Sequence, residues 1–295
     1  MAQAETWTVG RLLQWTTDYL KRHGAEVPRL DAEVLLAYSL GCARIQLYTT
    51  FDQEPSEAAR SKFRELVRRR AEGEPVAYLV GRREFYSLSF RVTPDVLIPR
   101  PETELLVVGL LDLARQRDDA RPAEVCDVGT GSGILAVCAA KHLPEARITA
   151  VDLSPQALAV AQANAAEHGV GERITFVTGD LLAGLSGDRQ FDFVLSNPPY
   201  VSAAEYAALA PEVRNYEPQM ALLAGPTGSE VIQRLVPQAC QRLRPGGWLL
   251  LEISPMIHAA VLGIMENEAR LEQVTTIKDL ARHPRVIQAR RRGGS

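Results

Sequence analysis

From Ala123 onward, short continuous apolar runs alternate with stretches of helical periodicity, and no other feature of the chain limits its possible folds so tightly. Strands are expected at 124–128, 147–152, 174–177, 191–196, 247–253, 271–277 and 285–289, with helices at 134–142, 155–168, 229–243 and 255–268. Strands that are apolar on both faces belong in a sheet covered on both sides, and helical crossovers between them make neighbouring strands parallel. The expectation is an α/β domain on a seven-stranded, Rossmann-like sheet, its last two strands being candidates for antiparallel pairing. No internal repeat or low-complexity segment interrupts it.

Upstream the periodicity is helical. Thr8 is placed to cap a helix through Leu12, Leu13, Trp15 and Leu20 that stops at Gly24. A second starts at Asp31 and stops at Gly41; Ser56 opens a third, through Phe63, Leu66 and Val67, that stops at Gly73. Glu84-Phe85-Tyr86 and Leu88-Ser89-Phe90-Arg91-Val92 alternate apolar with polar residues, as in a β-hairpin turning near Ser87. Two prolines then flank Arg100 before a helix through Leu105, Leu106, Val107 and Leu110, with Pro101 suited to its first turn. The chain is thus divided into a small helical bundle (1–81), a hairpin linker (82–98) and the α/β domain (99–295).

At 295 residues and 46% hydrophobic content the chain has enough apolar surface for a sizeable core. A net charge of −3 gives no basic excess of the kind that duplex-binding proteins set against phosphates. Two basic runs, Arg68-Arg69-Arg70 and Arg290-Arg291-Arg292, are expected as a solvated helix face and a frayed tail. Cys42, Cys126, Cys138 and Cys240 lack C-x-x-C spacing and the His residues are dispersed, so free thiols in a reducing compartment and no metal site are expected. No run approaches the ~18 apolar residues of a membrane helix, and the start, Met1 to Thr6, lacks a charged-then-apolar signal. A cytoplasmic protein is expected.

Chemistry-bearing residues gather where the expected strands end. Asp127-Val128-Gly129-Thr130-Gly131-Ser132-Gly133 joins the first strand to its helix, where alternate glycines let backbone approach a ligand at a helix N-terminus. The G-x-G-x-G spacing departs from the G-x-G-x-x-G of dinucleotide binders, so a pyrophosphate is not the obvious guest. Asp152 ends the second strand, where a carboxylate can take both hydroxyls of a ribose; the alternative is a helix cap, a job Ser154 does equally well. At the third strand end Asp180 can accept from an adenine amino group and Leu181 can cover the ring. Asn197-Pro198-Pro199-Tyr200 leaves the fourth. The Asn197 side-chain oxygen and the Pro198 carbonyl can both accept from one –NH2, and the prolines carry no N–H of their own. The Tyr200 ring can pack on a planar amide or base. Such a loop suits methyl transfer to an amide or exocyclic amino nitrogen. Arg100 is either an ordinary linker residue or a wall of that site.

Taken together, these segments resemble the HemK/PrmC protein-glutamine N5-methyltransferases, which modify peptide chain release factors. The resemblance rests on Phe85-Tyr86, Leu97-Ile98-Pro99-Arg100-Pro101-Glu102-Thr103-Glu104, the 127–133 loop, Asp152-Leu153-Ser154-Pro155 and Ser196-Asn197-Pro198-Pro199-Tyr200. Tyr216-Glu217-Pro218, Ala221-Leu222 and Gly225 also fit, so it spans nearly the whole chain. Asn-Pro-Pro-Tyr is shared with adenine-N6 DNA and RNA methyltransferases, whereas Pro-Arg-Pro-Glu-Thr-Glu is much narrower. The fold implied is the Rossmann-like class I methyltransferase plan. The resemblance implies S-adenosyl-L-methionine as cofactor, lined by Gly129, Thr130, Gly131, Ser132, Gly133, Asp152, Asp180, Leu181 and Asn197. It implies that Asn197, Pro198, Pro199 and Tyr200 hold a substrate glutamine, with Arg100 beside them and Asn197 as the catalytic residue. The substrate is then the glutamine of a release factor's Gly-Gly-Gln motif, docked with help from the N-terminal helices of a monomer.

Two departures from the family pattern stand out: Ser254-Pro255-Met256 where a Gly and a polar run are usual, and Arg282-His283 where a Gly is common. Other readings remain. A nucleic-acid amino methyltransferase would want a recognition insert and a broad basic surface, and the stretch from Tyr200 to Gly247 offers no such insert. A ribosomal-protein glutamine methyltransferase is a closer alternative, and a non-catalytic adenosylmethionine-binding scaffold a third.

Overall fold

The computed structural model describes residues 6–117, 119, 121–185 and 187–293. Of the expected chain start, residues 1–5 lie outside the described residues. The chain forms two compact units: one runs to Arg82 and takes in Ala210–Tyr216, the other comprises Arg83–Leu209 and Glu217–Ser295.

In the first unit the helices Val9–Arg22, Pro28–Leu40 and Glu57–Ala71 enclose Leu13, Leu20, Leu35, Leu36, Leu47 and Phe63. Thr8 and Ser56 cap their helices through Arg11 N and Ala59 N, as expected. The second helix starts at Pro28 rather than Asp31, because a proline in the first turn has no N–H to satisfy. Asp31 is instead buried and accepts from Arg70 Nε at 2.8 Å. The basic run is therefore not a uniformly solvated face. Arg68 is exposed and pairs with Glu65 and Glu72, whereas Arg70 is buried and spans Asp31 and Glu212. That pair to Glu212 (2.7 Å), with Tyr216 Oη donating to the Glu72 carbonyl, packs the segment Ala210–Tyr216 against helices that the sequence division assigns to a different domain.

The hairpin strands are Arg82–Phe85 and Leu88–Arg91. Between them Tyr86 (φ 49°) and Ser87 (φ 60°) are both left-handed, the turn whose twist matches a two-residue hairpin. Neither is glycine; Glu104 Oε1, accepting from Tyr86 N at 2.9 Å, holds the turn.

The second unit carries the sheet, whose strands are β1 (Glu124–Val128), β2 (Arg147–Asp152), β3 (Ile174–Thr178), β4 (Phe191–Ser196), β5 (Leu243–Glu252), β6 (Leu271–Lys278) and β7 (Pro284–Arg291). Their order is β6-β7-β5-β4-β1-β2-β3. β7 pairs antiparallel with both β5 and β6, so it alone runs against the rest. Alternate residues feed separate cores: Val125, Phe193 and Leu195 face one, Cys126, Val194 and Leu249 the other. From β1 the chain builds outward through β2 and β3, then returns to add β4 and β5 on the opposite side. A sheet that reverses order in this way opens a crevice at the strands' carboxyl ends, at that reversal.

The basic C-terminal run is not a frayed tail. Arg290 and Arg291 lie in β7, and Arg291 Nη1 donates to the Leu243 carbonyl at 2.9 Å. Arg282 sits at φ 67°, the left-handed region where glycine is favoured, so a glycine in its place would meet no strain. Among the described residues no helix is long and apolar enough to cross a membrane.

Candidate active site

A cavity of about 490 Å3 occupies the crevice at the carboxyl ends of β1, β2, β3 and β4, within the range of small-molecule sites. One side is built mainly from backbone. Gly129 N and Thr130 N donate to the Val151 carbonyl at 2.8 and 3.0 Å, turning the loop back over β2. Gly131, at φ 54°, donates its N–H to Asp152 Oδ2 at 2.8 Å. Gly133, at φ 82°, packs so closely on the next helix that a Cβ would stand 3.0 Å from that of Ala161. Beneath the loop Asp127 is buried, accepting from Thr130 Oγ1 at 2.6 Å and Ala136 N at 3.1 Å. Its other oxygen has no partner, and burial pushes the carboxyl up to about 7.

Asp152 Oδ1 accepts from Ser154 N at 2.9 Å, while the helix Pro155–Glu167 is capped by Ser154 itself, through Ala157 N. The cap is therefore not the job of Asp152, whose carboxylate lines the cavity with capacity for further donors. Asp180 is half-exposed and pairs with Arg234; Leu181 adopts φ 54° beside it. Leu153 and Met220 expose 53% and 57% of their surface at the cavity, an apolar cover that sequence reasoning assigned no role.

The other side is built from side chains brought together from distant segments. Asn197 Nδ2 donates to Thr103 Oγ1 at 3.1 Å across 94 residues of sequence. With its –NH2 so committed, the Asn197 side-chain oxygen is the end left to accept. Arg100 Nη2 reaches Glu217 Oε1 at 2.5 Å, and the buried Glu217 also accepts from Ile98 N at 3.1 Å. Tyr200 Oη donates to Glu252 Oε1 at 3.3 Å. Burial pushes the Glu252 carboxyl up to about 7, against the opposing pull of hydrogen bonds from Thr103 and Tyr200. Burial, then Glu252, likewise pushes the Tyr200 phenol up. Glu102 pairs with Arg285 at 3.5 Å, so each polar side chain of Arg100-Pro101-Glu102-Thr103-Glu104 has an assigned partner.

Of the residues singled out in the sequence, Arg100, Gly129, Thr130, Gly131, Ser132, Asp152, Asp180, Leu181, Asn197 and Pro199 line the cavity. Gly133 instead packs against a helix, Pro198 is buried, and Tyr200 lies against the apolar core with its hydroxyl on Glu252. Thr103, Glu217 and Glu252 were given no role. A signal existed for the last: a carboxylate closing the otherwise apolar run 247–253 must be buried, which is rare without a partner. Among the described residues no group of three or more His, Cys, Asp or Glu could hold a metal ion.

The PrmC N-terminal domain matches residues 11–81 and the methyltransferase small domain matches residues 103–212. In structure, the hMettl16 catalytic domain in complex with MAT2A 3′UTR hairpin 6 is similar at TM-score 0.56 and 18% identity, over 77% of this chain and 82% of that one. The T. thermophilus 16S rRNA N2 G1207 methyltransferase, in complex with AdoMet and guanosine, is similar at TM-score 0.53 and 20% identity, over 72% and 50%. The fold and the methyltransferase small domain define a class I methyltransferase. The cavity fits S-adenosyl-L-methionine, the cofactor that the sequence resemblance implies: acceptor carboxylates at two strand ends, a glycine loop with open space above Gly129 and Gly131, and an exposed apolar cover.

The release factor glutamine methyltransferase of Rhodopirellula baltica is 51% identical over 95% of both chains, and that of Geobacter sulfurreducens 44% identical over 89% of this chain and 90% of its own. This chain belongs to the release factor glutamine methyltransferase family.

Proposed function

We propose that this chain methylates the side-chain amide nitrogen of the glutamine in the Gly-Gly-Gln motif of peptide chain release factors. The observation that carries the reading is the Asn197–Thr103 hydrogen bond, which turns the Asn197 oxygen into a fixed acceptor at the exit of β4. When bound, adenosylmethionine supplies an electrophilic methyl on its sulfonium. Asp152 takes the ribose hydroxyls, Asp180 the adenine amino group, and Leu181 covers the ring. The loop from Gly129 to Gly133 meets the amino-acid end.

An amide nitrogen is a poor nucleophile because its lone pair is delocalised into the carbonyl. Asn197 Oδ1 and the Pro198 carbonyl, each accepting one N–H of the substrate amide, orient the nitrogen and concentrate negative potential on it. They also stabilise the positive charge that develops there during transfer, which is preorganised electrostatics and needs no dedicated base. In-line displacement is sensitive to approach angle, so the fixed direction of these acceptors contributes further. Pro199 completes the pocket, Tyr200 backs it from the apolar core, and Arg100, held by Glu217, forms its wall. The helical unit docks the release factor; the enzyme works as a single chain in the cytoplasm, without direct nucleic-acid contact.

The test is transfer of label from radiolabelled adenosylmethionine to a release factor, to its Gln→Ala variant and to duplex DNA. Label in the intact factor alone supports the proposal. Label in DNA selects an amino methyltransferase of nucleic acid, and label nowhere a non-catalytic protein.

A further inference from the structure

Glu252 closes β5, next to the strand that delivers Asn197, and is 2% exposed. A carboxyl removed from water costs several kcal/mol unless its surroundings compensate, so its retention here calls for a function. One oxygen is approached by Tyr200 Oη at 3.3 Å, and the buried hydroxyl of Thr103 is the other uncharged donor facing the same carboxyl. The other oxygen, Oε2, is buried without a partner. Thr103 is itself fully buried and accepts from Asn197 Nδ2 at 3.1 Å. A hydroxyl has a single proton. If Thr103 gives that proton to Glu252, its lone pairs face Asn197 and can only receive. The ionised carboxyl, which can only accept, thus fixes the polarity of the whole chain of bonds, from Glu252 through Thr103 to Asn197. With the polarity fixed, the Asn197 amide cannot rotate to present its –NH2 to the cavity, where two donors would meet head to head.

We infer that Glu252 is a positioning residue for the methyl-acceptor pocket, setting through Thr103 which end of the Asn197 amide faces the substrate and through Tyr200 the seat of that ring. It touches neither substrate nor cofactor; Glu102, Arg285 and Arg100 are the other charges that face this cluster. The inference rests on the methyl-transfer reading for its catalytic consequence but not for the hydrogen-bond chain itself.

Glu252→Leu removes the acceptor at similar volume, and Glu252→Gln restores an acceptor oxygen. Turnover on a release factor should fall about 10–100-fold in Glu252→Leu, the scale of one lost preorganised contact, and recover to within a few-fold in Glu252→Gln. Adenosylmethionine affinity should stay within about twofold, since Glu252 itself lies outside the cavity lining. Thr103→Val should reproduce the loss, and Glu252→Leu/Thr103→Val should be no slower than the slower single variant, because both break one relay. Independently of turnover, the Asn197 side-chain amide resonances, followed by NMR with labelled asparagine, should shift and exchange faster in Glu252→Leu and Thr103→Val but not in Glu252→Gln. Unmoved Asn197 resonances in a folded Glu252→Leu protein would overturn the inference whether or not the wild type methylates. Multiplicative losses in the double variant would do so as well. A wild-type chain that transfers no methyl, with the resonances moving as described, would reject the reaction and leave the positioning role standing.

Discussion

The two sides of the crevice are built by opposite strategies. On the cofactor side, contacts are short in sequence and made largely by backbone: Ala136 N to Asp127 spans 9 residues and Gly131 N to Asp152 spans 21. On the acceptor side the corresponding spans are 94, 117 and 52 residues, and the partners are side chains. Backbone can serve on the cofactor side because loop and strand ends are set by the sheet, and a glycine only has to stay out of the way. On the proposed function the acceptor side has to present oxygen, not N–H, to a substrate amide. Prolines remove competing donors, and each remaining side chain must be oriented by another. The difference teaches that the cofactor half can be altered locally, whereas the acceptor half fails as a unit.

Asn197→Ala should produce the largest effect, lowering kcat by about 10²–10³ while adenosylmethionine affinity drops less than roughly tenfold. Near-normal turnover in rapid-quench kinetics would break the distinction between the two sides. Asp152→Ala should do the converse, weakening adenosylmethionine by roughly 10–100-fold, since charge-assisted bonds are worth about 1.5–3 kcal/mol each. Calorimetry returning wild-type affinity would remove Asp152 from the cofactor side. Glu217→Gln keeps an acceptor for Ile98 N but discharges the partner of Arg100. Steady-state kinetics should show KM for the release factor raised about tenfold, or ~1.4 kcal/mol, with kcat little changed.

The remaining effect is on stability rather than on catalysis or binding, and it concerns the loop. The folded carboxyl of Asp127, at about 7, lies above its ordinary 3.8. The folded state therefore binds that proton more tightly than the unfolded chain does. The stabilisation is fully present below pH 3.8 and is lost as pH rises through about 7. Asp127→Asn cannot titrate, so the stability of wild type relative to it should fall by about 2 kcal/mol between pH 5 and pH 7. Urea unfolding at the two pH values that showed a constant difference would mean the buried carboxyl is ionised throughout.

The same contrast governs how much could be read from the chain. The strand at Phe191–Ser196 and the helix at Ile134–His142 fall where periodicity puts them, because a buried strand and its crossover helix each carry their pattern within a few residues. The places of the glycine loop and of Asp152 at two strand ends were legible for the same reason. The short strands Val201–Ser202 and Leu223–Gly225 were not, since two or three residues carry no period. Nor was the packing of Ala210–Tyr216 with the helices, which depends on Arg70 meeting Glu212 across 142 residues. Asn197 announced itself through the prolines beside it. Thr103 and Glu217 did not: each meets its partner far along the chain, and a lone Thr or Glu has no local signature of being a partner; Glu252 showed only as a carboxylate in an apolar run.

Calorimetric titration of adenosylmethionine into Asn197→Ala, with kcat measured on the same preparation, tests the division of labour most directly. The expected result is a cofactor affinity within roughly tenfold of wild type beside a kcat reduced at least about a hundredfold. Equal losses in both quantities would contradict it, placing Asn197 on the cofactor side and leaving the acceptor pocket without its central residue.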